Sequence, residues 1–77
     1  MSTLAEVGPK GRCRIIAVAE SQRDLQSRLY ALGFYPGAEV TVLQVAPLGD
    51  PFQVKVANTL VSIRRREATM VEVEIEL

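Results

Sequence analysis

Short runs of β-branched and apolar residues, separated by Gly, Pro and Asn, most restrict the fold of this chain of 77 residues. Each run is too short for a typical helix and rich in residues that favour strands. The predicted strands cover residues 13–19, 38–46, 52–56, 59–63 and 70–77. Five short strands can each bury an apolar face by curling into a small barrel, which also reduces exposed strand edges. The pattern therefore predicts a mainly β fold.

One helix is predicted over residues 21–32, between the first and second strands. Ser21, followed three residues later by Asp24, is typical of a helix start because such side chains satisfy the free amides there. Leucines at spacings of four and three form one apolar stripe that is expected to be core: Leu25, Leu29 and Leu32. Gly33, directly after the stripe, is a typical C-terminal cap, with Phe34 folding back on the last turn. This order of elements predicts an SH3-like barrel of about five strands with one helix inserted between strands 1 and 2.

The chain is expected to form a single domain over residues 12–77, because so short a chain supplies only one hydrophobic core. The segment before it, residues 1–11, contains Gly8 and Pro9 among small and polar residues. Segments of this composition at a chain terminus are commonly poorly ordered. We therefore expect residues 1–11 to be a flexible leader.

Three connections join the last strands. Residues 47–51, Pro-Leu-Gly-Asp-Pro, are a dense turn signal and predict a hairpin loop. Ala57-Asn58 predicts a two-residue turn, because Asn is one of the few residues other than Gly that tolerate positive φ. Residues 64–68 predict a tight helical turn before the last strand, in which apolar residues are expected to face inward and to alternate with glutamates: Val71, Val73, Ile75 and Leu77.

The composition excludes several classes of site. The chain has no His and one cysteine, Cys13, so by itself it lacks the ligands of structural zinc and iron–sulfur sites and any histidine acid–base pair. We therefore predict no enzymatic activity and no cofactor. Cys13 lies in an apolar strand and is expected to be a small buried hydrophobic residue.

The charge balance and hydropathy restrict the environment of the chain. Nine basic and nine acidic residues give a net charge of zero, which argues against a general polyanion binder. No charge-free stretch approaches the roughly 20 residues of a spanning helix. An unpaired thiol suits a reducing compartment, so the sequence predicts a cytoplasmic protein.

Three segments, in this order and spacing, resemble the FeoA family, the small cytoplasmic proteins that accompany the membrane ferrous iron transporter FeoB in bacteria. They are Leu-x-x-Leu-Gly-Phe-x-Pro-Gly-x-x-Val-x-Val over 29–42, Ala-Pro-Leu-Gly-Asp-Pro over 46–51 and Ile-Arg-x-x-Glu-Ala-x-x-Val-x-Val over 63–73. The resemblance covers about residues 12–75, and Asn58 stands where the pattern has Gly. It implies an SH3-like barrel with a helical insertion and no enzymatic activity. The implied role is to support ferrous iron uptake through contact with the cytoplasmic part of the transporter, with membrane contact only through it.

Candidate partner-binding residues follow from the turns and the basic run. Leu48 is the sharpest case, because a Leu at the tip of a short hairpin has little of its own chain to pack against, whereas a partner could bury it. A purely structural hairpin, with Gly49 supplying a special backbone angle, is the alternative. The full candidate set is Tyr35, Pro47, Leu48, Gly49, Asp50, Arg64 and Arg65. The partner is the transporter or a second protomer, and the chain itself is expected to be a monomer or a weak homo-oligomer.

Other interpretations remain open. Residues 64–66, Arg-Arg-Arg, with Tyr35 as a stacking platform would suit a nucleic-acid-binding barrel. The balanced charge instead favours surface solubility and pairing of these arginines with Glu67 and nearby carboxylates, so no nucleic acid is expected. The same domain type also resembles the C-terminal interaction domain of some metal-dependent repressors.

Three glutamates on one strand face raise the question of iron binding: Glu72, Glu74 and Glu76. Carboxylates are hard oxygen ligands, but successive members lie about 7 Å apart along a strand, too far to converge on one ion. The expectation is a solvated outer face and no metal site.

Overall fold

The computed structural model describes residues 2–76. These residues form six strands, two short α-helices and one turn of 3-10 helix. The strands are β1 (Ser2–Thr3), β2 (Arg12–Val18), β3 (Glu39–Val45), β4 (Phe52–Val56), β5 (Thr59–Ile63) and β6 (Val71–Glu76). The helices are α1 (Arg23–Ala31) and α2 (Arg65–Ala68), and the 3-10 turn is Leu4–Glu6.

The strands form one sheet in the order β1-β6-β2-β3-β4-β5, in which all neighbours are antiparallel. Two bulges interrupt the register, one in β2 between Ile15 and Ala17 and one in β3 between Val42 and Gln44. Bulges bend strands and increase their twist, which lets a small sheet curl around its own core. The predicted mainly β fold, with a helix between the first two long strands, is confirmed.

The core lies on the concave face of this sheet. In β4, Phe52, Val54 and Val56 are buried while Gln53 and Lys55 are exposed, as the alternation predicts. The largest fully buried side chains come from every part of the chain: Phe34, Phe52, Leu4, Ile15, Leu29 and Ile63. Cys13 is also fully buried, as expected.

The expectation of a flexible leader over residues 1–11 differs from the structure, although Met1 lies outside the described residues. Ser2 and Thr3 pair with β6, and the 3-10 turn that follows buries Leu4 completely. Val7 joins the same core cluster. The physical reason is that one 3-10 turn places two apolar side chains, three residues apart, over one end of the core.

Helix α1 differs from its prediction at its start and agrees at its end. It begins at Arg23 after the N-cap residue Gln22, which makes no side-chain capping bond to the described residues, so the predicted Ser21 cap is wrong. At the other end Gly33 has φ +104°, and its amide donates to the Tyr30 carbonyl at 3.0 Å. The Phe34 amide donates to the Leu29 carbonyl at 2.9 Å, which completes a Schellman motif.

Two residues expected in the core are partly exposed. Leu29 is buried and Leu25 packs against the core, but Leu32 is 39% exposed, because α1 ends there and the chain turns away. In β6, Val71 and Val73 are buried as predicted, whereas Ile75 is 38% exposed near the end of the last strand, and Leu77 lies outside the described residues. Over residues 2–76, no helix is long and apolar enough to cross a membrane.

Candidate partner-binding surface

The loop between β3 and β4, residues 46–51, projects Leu48 into solvent. The Gly49 amide donates to the Ala46 carbonyl at 2.7 Å, and the Ala46 amide donates to the Pro51 carbonyl at 3.1 Å. Gly49 has φ +83°, a backbone angle that residues other than Gly rarely adopt. Leu48, at the tip, is 96% exposed, the highest value of any large apolar residue among those described.

Helix α2 holds this loop through Arg65. The Arg65 Nε donates to the Gly49 carbonyl at 2.8 Å, and the Arg65 backbone amide donates to Asp50 Oδ1 at 3.0 Å. The guanidinium also lies over the Phe52 ring, 5.1 Å from its centroid. We call these three contacts the Arg65 clamp. They join the loop to a helix that begins sixteen residues later in the chain.

The structure brings most of the predicted candidates together. Leu48, Gly49, Asp50 and Arg65 share the loop and its clamp, and Pro47 lies exposed beside Leu48. Arg64 lies next to this group, at a cavity of about 440 Å³ lined by Arg28, Asp50, Pro51, Ser62, Arg64 and Glu67. The surface therefore combines a projecting apolar side chain with a neighbouring cation. We call Leu48 and Arg64, with the loop that carries Leu48, the loop surface.

Tyr35 lies elsewhere. It is 47% exposed, and it shares a cavity with Ala57 and Asn58 at the β4–β5 turn. That turn precedes Thr59, whereas Arg64 follows the other end of β5, and four residues of strand span about 13 Å. Tyr35 therefore does not belong to the loop surface.

The basic run pairs differently from its prediction. Glu67 forms its ion pair with Arg28 of α1, and its Oε1 accepts a hydrogen bond from the Arg64 backbone amide at 3.0 Å. The expected pairing of the 64–66 guanidinium groups with Glu67 is therefore wrong. The Glu67 carboxylate instead accepts from the free amide at the start of α2 and pairs with Arg28 on α1. The Arg64 guanidinium has no hydrogen-bond or ion-pair partner within residues 2–76.

One glutamate of β6, Glu76, lies near an arginine of β2, Arg14. Arg14 lies 3.9 Å from Glu76 Oε1 and 3.7 Å from Glu39 Oε2. Within the described part of the chain, no group of three or more His, Cys, Asp or Glu side chains converges as a metal site. Burial, with smaller contributions from Glu76 and Glu39, raises the pKa of the Cys13 thiol to about 11. A thiol with this pKa is protonated and unreactive at neutral pH.

Sequence reasoning missed two features of the molecule, one outside the loop surface and one beside it. Leu60, on the outer face of β5, is 72% exposed and was not singled out, although its position in the alternation could have shown that it faces outward. Arg28 borders the same cavity as Arg64 because α1 lies against α2, and no signal in the sequence indicates that helix contact.

Comparison with known proteins decides the family. A family model described as the FeoA domain matches residues 2–75. The chain belongs to the FeoA family. It is 36% identical over 61 residues to the Fe(2+) transport protein A/Fe(2+) transporter FeoB fusion protein of Porphyromonas gingivalis, a match that covers 79% of this chain and 7% of the fusion protein. The family is thereby linked to ferrous iron transport.

Solved structures of FeoA proteins share the fold. The FeoA protein of Chlorobium tepidum, 36% identical, superposes with a TM-score of 0.89 over 96% of this chain and 70% of that one. The FeoA of Stenotrophomonas maltophilia, solved with zinc and described as an SH3 domain protein, is 30% identical with a TM-score of 0.84 over 96% of this chain and 91% of that one. The predicted SH3-like fold is confirmed.

Proposed function

We propose that this protein is a non-catalytic accessory protein of bacterial ferrous iron uptake. It acts in the cytoplasm by binding the cytoplasmic part of a FeoB-type transporter. The relative from P. gingivalis supports this partner, because it carries transport protein A and the transporter FeoB in one chain. Covalent linkage of two modules raises their effective concentration, which is useful where the two must meet.

The exposure of Leu48 is the observation that supports the loop surface as the binding surface. A large apolar side chain that is 96% exposed contributes almost nothing to its own fold, whereas burial against a partner would remove it from water. Arg64 supplies a cation beside it that the described residues leave without an ion-pair partner. The partner surface that fits is therefore an apolar pocket flanked by a carboxylate.

Regulation of the transporter follows if the loop surface binds one of its conformations more tightly than another. A bound protein shifts a conformational equilibrium only by its difference in affinity for the two states. The proposal therefore requires that the affinity change with the nucleotide state of the transporter's G-domain.

The nucleic-acid interpretation has less support from the geometry. It needs Tyr35 and the basic run on one surface, and the two lie at opposite ends of the β4–β5 hairpin. The Arg65 guanidinium is also occupied by Gly49 and Phe52. A salt titration against random oligonucleotides separates the two functions, because binding through phosphates weakens steeply with salt.

The decisive experiment measures binding to the soluble G-domain of a FeoB-type transporter in its nucleotide-free and nucleotide-bound states. Leu48→Ser is expected to weaken binding about tenfold or more, because burial of a Leu side chain contributes about 1.5–3 kcal/mol. Leu60→Ser is the matched control, since Leu60 is also exposed but lies outside the loop surface. Absence of binding by the wild-type protein in every state would count against direct contact with this domain.

A further inference from the structure

We propose that Arg65 is a positioning residue of the loop surface rather than a contact residue: its clamp holds residues 46–51 in one conformation and thereby presents Leu48 preformed to the partner. This inference rests on the proposed function only for the identity of the partner. The geometry of the loop can be tested in the isolated protein.

The hydrogen bonds and the ring contact of Arg65 are made to the loop and core of its own chain. Its Nε is 2.8 Å from the Gly49 carbonyl oxygen, and its backbone amide is 3.0 Å from Asp50 Oδ1. The face of its guanidinium lies over the ring of Phe52, which is fully buried. A charged donor bound to a carbonyl and stacked on an aromatic ring is a fixed arrangement that Lys cannot reproduce.

The loop has few bonds of its own to define its shape. Two backbone hydrogen bonds close it, one between Gly49 and Ala46 and one between Ala46 and Pro51. Leu48 adds no packing, because it is exposed. The Arg65 clamp supplies two further hydrogen bonds, and both fall on the residues that directly follow Leu48.

The close approach of the two elements supports the same conclusion. A Cβ placed on Gly49 would lie 3.2 Å from Arg65 Nη2 and 3.3 Å from its Nε. Gly49 thus serves both the positive φ of the turn and the space that the guanidinium occupies. The loop and α2 fit each other at this point, which a guanidinium directed toward solvent would not require.

A preformed loop affects affinity through the population of its binding conformation. If the loop adopts the binding conformation only a tenth of the time, the apparent Kd rises about tenfold. Loss of the two side-chain contacts of Arg65, with its backbone bond to Asp50 retained, therefore weakens binding without removal of any atom that touches the partner. The effect of an Arg65 substitution on affinity should also depend on Leu48. When Leu48 is absent, an ordered loop no longer presents an anchor, so loss of loop order weakens binding little further.

The experiment has two arms. In the first, ¹⁵N relaxation is measured on the isolated wild-type protein and on Arg65→Ala, Arg65→Lys and Arg66→Ala. Order parameters of the Leu48 and Gly49 amides are expected to fall from about 0.85 to below about 0.6 in both Arg65 variants. Arg66→Ala is the matched control, because it removes a neighbouring guanidinium that takes no part in the clamp, and it is expected to change nothing.

The second arm measures binding to the transporter G-domain as a double-mutant cycle. Arg65→Ala and Leu48→Ser are each expected to weaken binding about tenfold or more, and the double variant is expected to bind no worse than Leu48→Ser alone. Additive losses would show that Arg65 touches the partner, which overturns the inference. Unchanged order parameters in folded Arg65→Lys would overturn it as well. If the wild-type protein binds no transporter domain, the proposed function fails, and the relaxation arm still decides whether the clamp orders the loop.

Discussion

The two consecutive hairpins of the sheet share strand β4 and are built in opposite ways. The β4–β5 hairpin closes through Ala57 and Asn58 alone, which have φ +51° and +63°. The β3–β4 hairpin closes through residues 46–51, whose conformation includes two hydrogen bonds from Arg65 on a distant helix. The first turn is fixed by local contacts, whereas the second also depends on contacts from the rest of the fold.

The difference teaches where an interaction surface can be placed on so small a domain. A two-residue turn matches the twist of its strands and leaves no side chain free to project far from the sheet. A longer loop can project Leu48, but the entropy of an unsupported loop would oppose binding. Support from α2 removes part of that cost, so the hairpin that we propose for partner binding is the one that depends on tertiary contacts.

The largest expected effect comes from Phe52, which begins β4 and lies under the Arg65 guanidinium. Phe52→Ala is expected to cost about 3–5 kcal/mol of unfolding free energy, because it leaves a cavity in the core. That cost approaches the whole stability of a domain of this size, so urea denaturation should find the variant largely unfolded.

A milder change keeps this test informative. Phe52→Leu retains most of the volume and is expected to cost less than about 1.5 kcal/mol, but it removes the aromatic face under Arg65. Val56→Ala, at the other end of the same strand, is the matched control for a core loss next to the short turn. If Phe52→Leu left the order parameters of Leu48 and Gly49 unchanged, the loop would not depend on the ring.

The sequence predicts the β4–β5 hairpin well and the β3–β4 hairpin in part. The bounds of β4 and β5 and the positive φ at Asn58 agree with their prediction, because alternation and turn chemistry are local properties. The projection of Leu48 was foreseen from the absence of local packing. The sequence does not predict that Arg65 holds the loop, since the contact joins residues sixteen positions apart and depends on where α2 lies.

The same reasoning explains the other differences. The burial of Leu4 and Val7 depends on the end of a barrel that only forms when the other strands assemble. The exposure of Leu32 depends on where α1 stops relative to the sheet, which the spacing of the leucines does not specify. In both cases tertiary contacts, which no local pattern specifies, decide which residues are buried.

The next effect separates backbone cost from loss of the clamp at Gly49. Gly49→Ala is expected to cost about 1–2 kcal/mol for a side chain at positive φ. A further cost of up to about 1.5 kcal/mol is expected, since Arg65 must shift slightly and its charged hydrogen bond is weakened. Gly37→Ala is the matched control, because Gly37 has φ +93° but no atom lies within 4 Å of an added Cβ. Equal losses of unfolding free energy in the two variants would mean that the guanidinium does not restrict the loop.

A stabilising change is expected in the short turn. Ala57 has φ +51°, so Ala57→Gly relieves a backbone cost of about 1–2 kcal/mol. It also lowers stability by about 0.4–1 kcal/mol, because Gly increases the conformational entropy of the unfolded chain. The net gain in unfolding free energy, measured by urea denaturation, should lie between zero and about 1.6 kcal/mol. Ala19→Gly, at a connecting residue without positive φ, should lose stability instead. A loss of stability in Ala57→Gly would show that the Ala57 methyl group contributes packing.

The smallest expected effect is that of Leu48 on stability, and it tests the comparison most directly. Leu48→Ser should change the unfolding free energy by less than about 0.5 kcal/mol, because an exposed side chain loses no packing. Leu60→Ser, on the outer face of β5, should be equally neutral. A cost of more than about 1 kcal/mol for Leu48→Ser, with unchanged transporter binding, would return Leu48 to a structural role. The loop surface would then have no anchor. A neutral change in stability together with weakened binding is the combination that only an exposed anchor produces.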